Sequence, residues 1–85
     1  MKKNLNIGFV GLTHLGLNYL AASSEKGFNV IGIDVNQDKI DKLKTFKIEY
    51  DEPNLKTTIF RNKKKIIFSS NLNHLISCHI VFEKH

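Results

Sequence analysis

The chain has 85 residues, 41% of them hydrophobic, and a formal net charge of +5. This length allows one small domain that buries about 60–65% of its unfolded surface, and the hydrophobic content excludes a disordered chain. A single cysteine excludes an internal disulfide and favours a reducing cytoplasm, and no apolar run is long enough to span a membrane.

The first predicted unit is a strand, a glycine turn and a helix. Residues 5–10 form an apolar run of strand-forming residues that ends at Gly11. In the helix that follows, apolar or small residues recur at i, i+3, i+4 and i+7, as one buried face requires. We expect this helix to end at Gly27, which tolerates a left-handed backbone. The predicted buried face consists of Leu17, Leu20, Ala21 and Ser24.

A second strand and an acidic residue complete this unit. Residues 28–33 are apolar on both faces, which is typical of a strand inside a parallel sheet. Asp34 follows about 20 residues beyond the turn, the spacing found in dinucleotide-binding βαβ units. The layout is therefore that of a dinucleotide-binding unit with one glycine of its turn replaced.

Each residue of the turn has an expected role. Gly11 permits the sharp reversal, and Gly16 lets the helix lie close to the sheet, so that the helix N-terminus points at a pyrophosphate. Thr13 stands where the fingerprint has its middle glycine, and its Cβ narrows the approach of phosphate while its hydroxyl can donate a hydrogen bond. The Asp34 carboxylate can accept from both ribose hydroxyls and repels a 2′-phosphate, which favours NAD over NADP.

The rest of the chain predicts three further helical segments and two strands. Asn36 caps a lysine-rich helix, residues 47–52 form a loop, and Pro53 begins a short helix. Strands are predicted at residues 66–69 and 79–82, with a short helix between them. The side chains expected on the buried faces of these helices are Ile40, Leu43, Phe46, Leu55, Ile59, Phe60, Leu72, Leu75 and Ile76.

These elements predict a partial Rossmann-like α/β fold of three layers. Right-handed crossovers place the four parallel strands in the order 3-2-1-4. The helices after strands one and two then cover one face, and the short helix before strand four must cover the other. A ligand would lie at the carboxyl ends of strands one and four, where the strand order reverses.

Several spaced segments carry a family resemblance. Residues 7–17, IGFVGLTHLGL, resemble the opening of the UDP-glucose/GDP-mannose dehydrogenases, whose usual turn is G-L-G-Y-V-G-L. The likeness continues along nearly the whole chain. Its further segments are residues 30–36, 39–40, 52–55 (EPNL, where the family has E-P-G-L), 67–71 and 80–82.

The resemblance implies a function and a domain organisation. It implies that residues 1–85 are a truncated N-terminal NAD-binding domain, with the catalytic and sugar-binding domains absent. The family oxidises the primary alcohol of a nucleotide sugar to the uronic acid, and a lysine at the position of Lys39 reaches the adenosine ribose. The expected cofactor-binding residues are Gly11, Thr13, His14, Leu15, Gly16, Asp34 and Lys39.

Three interpretations of the whole chain stay open. The first is an NAD-binding segment of a nucleotide-sugar dehydrogenase, either truncated or completed by another chain. The second is a nucleotide-binding or interaction module without redox chemistry, and the third is a non-functional remnant. In every case the strand at residues 79–82 leaves an open edge, which favours self-association or pairing with another chain. Whether Lys39 contacts the cofactor or only solvent is also open.

The remaining reactive or charged residues favour structural roles. Nothing around Cys78 matches a catalytic cysteine, so a buried small residue is the better interpretation, and we expect no catalytic residue in this chain. The four histidines lack metal-ligand spacing, although His14 lies beside the expected phosphates. The basic run at residues 61–65 has no interleaved aromatic residue, which favours a solvated loop over a nucleic-acid site. NAD is thus the expected partner, with no metal, nucleic acid or membrane.

Overall fold

The computed structural model describes residues 5–48 and 53–83. In these ranges one or more helical segments separate each strand from the next, as in a parallel α/β sheet. The strands are β1 (Asn6–Val10), β2 (Asn29–Ile33), β3 (Ile66–Ser69) and β4 (Ile80–Glu83). The helices are α1 (His14–Glu25), α2 (Gln37–Lys44) and α3 (Pro53–Arg61), with 3₁₀ segments at Lys63–Lys65 and Leu72–Ser77.

The sheet has four parallel strands in the order β3-β2-β1-β4, which confirms the predicted topology. Asn6 pairs with Asn29 at the start of β1, and Val10 pairs with both Ile33 and Glu83 at its end. The carboxyl ends of β1, β2 and β4 therefore meet at one edge of the sheet. The strand order reverses between β1 and β4, so a ligand crevice is expected at that edge.

One face of the sheet is covered by the three α-helices. The predicted buried face of α1 is confirmed, and this helix packs against both α3 and β2. The core lies in this layer. It contains Ile7, Phe9, Leu12, Leu17, Leu20, Ala21, Val30, Ile40, Leu43, Leu55, Ile59 and Phe68.

Two glycines in the central strands let the covering layers approach the sheet. A Cβ on Gly32 would lie 2.7 Å from Leu20 of α1, and a Cβ on Gly8 would lie 2.8 Å from Leu75. Because Gly8 pairs with Ile31, the neighbour of Gly32, these two glycines face opposite sides of the sheet. The 3₁₀ helix Leu72–Ser77 therefore lies on the face opposite to α1.

That second face is more thinly covered than the sequence predicts. Leu72 and Ile76 were expected to point inward, but they are 53% and 85% exposed. Leu75 is half-buried and approaches Gly8. A 3₁₀ helix has three residues per turn, so its side chains do not form the 3.6-residue face on which the expectation depended.

The end of α3 also differs from expectation. Leu55 and Ile59 are buried as predicted, whereas Phe60 is 51% exposed. Its ring lies edge-on to Phe46 with centroids 5.0 Å apart, and the ammonium group of Lys63 lies 4.4 Å above it. Phe60 thus joins a surface aromatic contact instead of the core. The predicted loop at residues 47–52 lies largely outside the described residues.

Candidate functional site

The glycine turn between β1 and α1 has the geometry that its sequence predicts. Gly11 has φ 88°, a left-handed backbone that favours glycine, and its amide donates to the Ile33 carbonyl at 2.9 Å. A Cβ on Gly16 would lie 2.6 Å from the Gly11 carbonyl oxygen. The helix therefore begins in contact with the turn, and a side chain at Gly16 would separate the two.

Thr13 is the residue that caps α1. Its hydroxyl accepts a hydrogen bond from the Gly16 amide at 3.3 Å, and its carbonyl accepts from the Leu17 amide at 2.8 Å. Because the hydroxyl oxygen accepts at the cap, its own proton is directed elsewhere and can be donated to a ligand. The replacement of the middle glycine thus adds a helix cap to the turn.

His14 and Leu15 form the first turn of α1, and both side chains are exposed. Leu15 borders a cavity of about 310 Å³ that opens beside the glycine turn. His14 does not line this cavity. Of the two, only Leu15 therefore has a structural connection to the open space at the turn.

The carboxylate of Asp34 lies between β2 and the glycine turn. One oxygen accepts from the Leu12 amide at 2.9 Å, and the other accepts from the Asn36 amide at 3.0 Å. Partial burial acts to raise the pKa of Asp34, but these two hydrogen bonds and the nearby Lys39 ammonium outweigh it and hold the pKa below its ordinary value. Asp34 is consequently an anion at neutral pH, and the oxygen that accepts from the Asn36 amide keeps a lone pair for a further donor.

Lys39 reaches back from α2 to the same turn. Its ammonium group lies 3.2 Å from the Leu12 carbonyl and 3.6 Å from an Asp34 oxygen. The backbone amide of Leu12 thus donates to Asp34, and its carbonyl accepts from Lys39. The sequence did not reveal this contact with Leu12, because it depends on where the first turn of α2 lies relative to β1.

The other reactive residues lie apart from this turn. Burial raises the pKa of the Cys78 thiol, which disfavours the nucleophilic thiolate. The Nδ1 atom of His79 accepts from the Asn6 amide at 3.0 Å, at the opposite edge of the sheet from the turn. Residues 5–48 and 53–83 contain no cluster of three or more His, Cys, Asp or Glu that could hold a metal ion.

The basic run after α3 makes contacts within the chain. Arg61 forms an ion pair with Glu25 at 2.8 Å, and Lys65 lies 3.4 Å from the Asn62 side-chain oxygen. Asn62 is itself buried and donates to Glu25 at 2.7 Å. These contacts tie the end of α3 to the end of α1, which is a structural role. None of the helices in the described ranges is both long and apolar enough to cross a membrane.

The fold and the turn together define a class of protein. An open parallel sheet, a glycine turn at its switch point and a carboxylate at the end of β2 are the features of a dinucleotide-binding α/β domain. The chain belongs to the UDP-glucose/GDP-mannose dehydrogenase family, because residues 5–82 match that family's NAD binding domain. The cofactor of this domain is NAD.

The relatives are much longer proteins. The chain is 33% identical over 64 residues to the UDP-N-acetyl-D-mannosamine dehydrogenase of Methanococcus maripaludis, a match that covers 75% of this chain and 14% of the relative. A relative in Methanococcus vannielii with the same name is 31% identical over 72 residues, which is 85% of this chain and 16% of the relative. The chain therefore spans about a seventh of the length of these relatives.

Solved structures agree with this fold. The UDP-N-acetyl-mannosamine dehydrogenase of Staphylococcus aureus is 31% identical, with a TM-score of 0.72 over 78% of this chain and 16% of that one. The UDP-glucose dehydrogenase of Pyrobaculum islandicum is 19% identical, with a TM-score of 0.87 over 96% of this chain and 20% of that one. The second match supports the fold alone.

Proposed function

We propose that this chain binds NAD at the glycine turn, with Asp34 accepting from the adenosine ribose. The observation that carries the proposal is the position of the Asp34 carboxylate, which is ionised and lies one hydrogen bond from the turn at the Leu12 amide. A carboxylate at this place accepts ribose hydroxyls and repels a 2′-phosphate. We therefore assign the site to NAD and not to NADP.

The pyrophosphate would lie against the turn and the N-terminus of α1. Gly11 and Gly16 keep side chains out of this space, the Thr13 proton is available to a phosphate oxygen, and the Leu15 amide lies in the first turn of the helix. Lys39 holds the turn and adds a positive charge beside the ribose. His14 would lie at the exposed side of the phosphates and would contribute less to binding than these residues.

For the whole protein we propose the family's reaction, the NAD-dependent oxidation of a nucleotide sugar. Bound NAD accepts a hydride in such a reaction. Residues 1–85 would then be an N-terminal NAD-binding domain that works in a reducing cytoplasm and needs sugar-binding and catalytic parts from elsewhere. Cys78, with its raised pKa, does not offer the nucleophile.

This proposal predicts that the chain alone does not oxidise a nucleotide sugar. Hydride transfer requires the sugar and the nicotinamide to be held in contact, and the site described above binds only the adenosine half. We expect no NADH above a blank without enzyme when the purified chain is mixed with NAD and UDP-glucose, GDP-mannose or UDP-N-acetylmannosamine. NADH formation that Gly11→Val abolishes would overturn the expectation.

A second candidate is an interaction module that keeps nucleotide affinity without catalysis. The observation that favours it is β4, in which all four residues are exposed. This edge can receive a strand from another polypeptide or from a second copy of the chain. An isolated chain that folds stably and binds NAD would favour the module, whereas NAD binding that requires a second polypeptide would favour the NAD-binding segment.

The binding test is a titration of NAD and NADP followed by NMR. We expect NAD to bind with a dissociation constant of about 0.1–1 mM, since only the adenosine half finds partners. Asp34→Ala should weaken binding by about 1–3 kcal/mol, because ribose hydroxyls and backbone donors lose their acceptor. The matched control is Asp38→Asn, which removes an exposed carboxylate on α2 that pairs with Lys42. Equal shifts for both cofactors, or none near Gly11 and Asp34, would contradict the assignment.

A further inference from the structure

A cavity separate from the glycine turn lies along β3, the outer strand of the sheet. It measures about 410 Å³, within the range of about 300–1,000 Å³ for small-molecule pockets. The ends of α2 and α3 border it on one side of β3, and the 3₁₀ segment Leu72–Ser77 borders it on the other. Among the described residues, none that lines this cavity also lines the cavity at the turn.

Most of the lining is apolar. The apolar side chains are Leu43, Phe46, Ile59, Ile66, Ile67 and Phe68. Leu43, Ile59 and Phe68 belong to the core and are at most 8% exposed, whereas Ile67 is 54% exposed. Because neighbouring residues of a strand face opposite sides, the cavity extends around the outer edge of β3 from Phe68 to Ile67. A hydrocarbon group bound here would remove this apolar surface from water.

Phe46 borders the cavity in a backbone conformation that is unfavourable for its side chain. α2 ends in a Schellman motif, in which the Lys47 amide donates to the Lys42 carbonyl at 2.8 Å. The motif places Phe46 at φ 61°, in the left-handed region where glycine is usual. A phenylalanine at this position costs conformational energy that a glycine would not. Its ring packs against the core and lies edge-on to Phe60, so the strained position supplies the cavity with an aromatic wall.

The lining residues that carry a formal charge at neutral pH are two lysines. Lys44 ends α2 and Lys63 follows α3, and both side chains are exposed. The Lys63 ammonium lies 4.4 Å from the centroid of the Phe60 ring, which holds it beside the aromatic wall. None of the described residues that line the cavity is acidic. An anionic group here would therefore be attracted by two ammonium groups and would meet no carboxylate of the described lining.

We propose that this cavity is a ligand site for a small organic anion, which has an apolar, aromatic body and a carboxylate or phosphate head group. The body lies along β3 against Phe46 and Ile67, and the head group faces Lys44 and Lys63. The same lysines oppose the other natural occupant of an open strand edge, because pairing with another strand would desolvate them. A small anion can meet them while they stay partly hydrated.

The expected selectivity for an anion is modest because both lysines are exposed. Two exposed charge pairs correspond to about a three- to tenfold tighter binding of an anion than of a neutral compound with the same shape. Salt should reduce this ratio, since exposed charges are screened. The apolar body provides most of the affinity, and we expect a dissociation constant of about 0.1–1 mM.

The test is an NMR titration of the full chain with naphthoate and with naphthamide, its neutral counterpart. Both should shift the signals of Phe46, Ile59 and Phe68, and naphthoate should bind about three- to tenfold more tightly. Replacing both lysines, with Lys44→Gln and Lys63→Gln, should bring the two affinities within about twofold of each other. Phe46→Gly removes the aromatic wall and relieves the backbone strain, and it should weaken both ligands about fivefold or more.

Lys64→Gln is the matched control, because it removes the same charge from the residue next to Lys63, which lines a different depression. It should leave the preference for naphthoate intact. Thermal melts show which variants are folded. The lysine variants change only exposed side chains, so they test the site even if Phe46→Gly does not fold.

The NAD site is distinguished by a second titration. The Ser69 carbonyl, at the end of the cavity, accepts from the Asp34 amide at 3.2 Å, so the two sites are neighbours. Naphthoate affinity should stay within about twofold in Asp34→Ala and in excess NAD, whether or not NAD itself binds. Competition with NAD would overturn the separate site. Equal affinities for naphthoate and naphthamide, a preference that persists without the two lysines, or no shift near Phe46 would also overturn it.

Discussion

Hydrogen bonds and an ion pair within the chain hold the Asp34 carboxylate in place without any ligand. The amides of Leu12 and Asn36 and the ammonium of Lys39 all lie on its two oxygens. A ribose bound as proposed would therefore meet an acceptor that is already oriented, and less conformational entropy would be lost on binding than with a mobile side chain. The same contacts make Asp34 a structural residue of the turn, so its substitution affects both stability and affinity.

The lowered pKa of Asp34 predicts how stability depends on pH. Because the folded pKa lies below the unfolded value of about 3.9, the ionised form stabilises the fold above that value. This contribution is lost as the pH falls through the folded pKa. We expect Asp34→Asn to be less stable than the wild type by about 1–2 kcal/mol at pH 7, because the amide offers only one oxygen to two backbone donors.

The difference between the two proteins should narrow as the pH falls from about 5 to 2. Urea unfolding at a series of pH values measures it. A gap that stays constant down to pH 2 would mean that Asp34 does not titrate differently in the folded and unfolded chains.

Substitutions at Thr13 should separate two effects of this residue, the stability that its hydroxyl cap adds and the space that its Cβ occupies. Thr13→Val removes the hydroxyl that accepts from Gly16, and losing such a cap costs about 0.5–2 kcal/mol. Thr13→Ser keeps the hydroxyl and is the matched control, for which we expect a change of only a few tenths. Thr13→Gly should cost about as little, and it also removes the Cβ beside the proposed position of the phosphates. Thermal melts with and without NAD compare the three. A Val variant as stable as the Ser variant would show that the cap contributes nothing.

At the scale of elements, glycines set how closely each helix approaches the sheet. A Cβ on Gly16 would meet the backbone oxygen of Gly11 at 2.6 Å, and that oxygen cannot move without moving the turn. A Cβ on Gly8 would meet the tip of Leu75 at 2.8 Å and Cys78 Sγ at 2.9 Å. Leu75 lies on a short 3₁₀ segment without buried residues, and Cys78 directly follows that segment. The two clashes are similar in distance but differ in how easily they relax.

We therefore expect Gly16→Ala to destabilise the fold by about 1–3 kcal/mol and Gly8→Ala by less than about 1 kcal/mol. Gly16→Ala should also reduce NAD binding, since it displaces the helix N-terminus from the turn. Urea denaturation and the NAD titration measure the two effects. The reverse order of stability would show that the second face is more rigid than its exposure indicates.

The sequence correctly predicted those elements whose residue pattern is compatible with only one local structure. The α1 face, the left-handed Gly27 and the Asn36 cap follow from local chemistry, and all three are confirmed. Right-handed crossovers then leave one strand order. Phe60 and Ile76 were misplaced because an apolar residue shows a tendency to be buried but not whether a partner lies opposite it.

The site was predictable to the same extent. Gly11, Gly16 and Asp34 follow from the needs of a tight turn and of a ribose, and the structure brings them to one edge of the sheet. The contact of Lys39 with the Leu12 carbonyl and the position of Glu83 beside the turn did not follow. Both depend on how α2 and β4 lie relative to β1, which no local pattern encodes.

The whole molecule is covered unequally on its two faces. Within residues 5–48 and 53–83, α1, α2 and α3 bury the core on one side, whereas the other side is covered by the Leu72–Ser77 segment, in which no residue is buried. The two edges of the sheet also differ. Lys63–Lys65 precede β3, and lysines at a strand edge oppose pairing with another chain. β4 carries Ile80, Val81 and Phe82, each at least 41% exposed.

This asymmetry predicts that the chain associates through β4. Unpaired backbone groups and three adjacent apolar side chains at one edge form a site for another strand, supplied by a second copy or by another polypeptide. Val81→Lys should reduce association, because a lysine on the edge strand must be desolvated before another strand can pair there. The matched control is Ile67→Lys, which adds the same charge to the exposed side of β3, where lysines already stand. Sedimentation velocity of the purified chain at tens of micromolar should show self-association in the wild type and in Ile67→Lys, and a shift to monomer in Val81→Lys.

A folded wild-type monomer at that concentration would rule out the second copy and leave another polypeptide as the occupant of the edge. Equal association in all three proteins would place the contact away from β4.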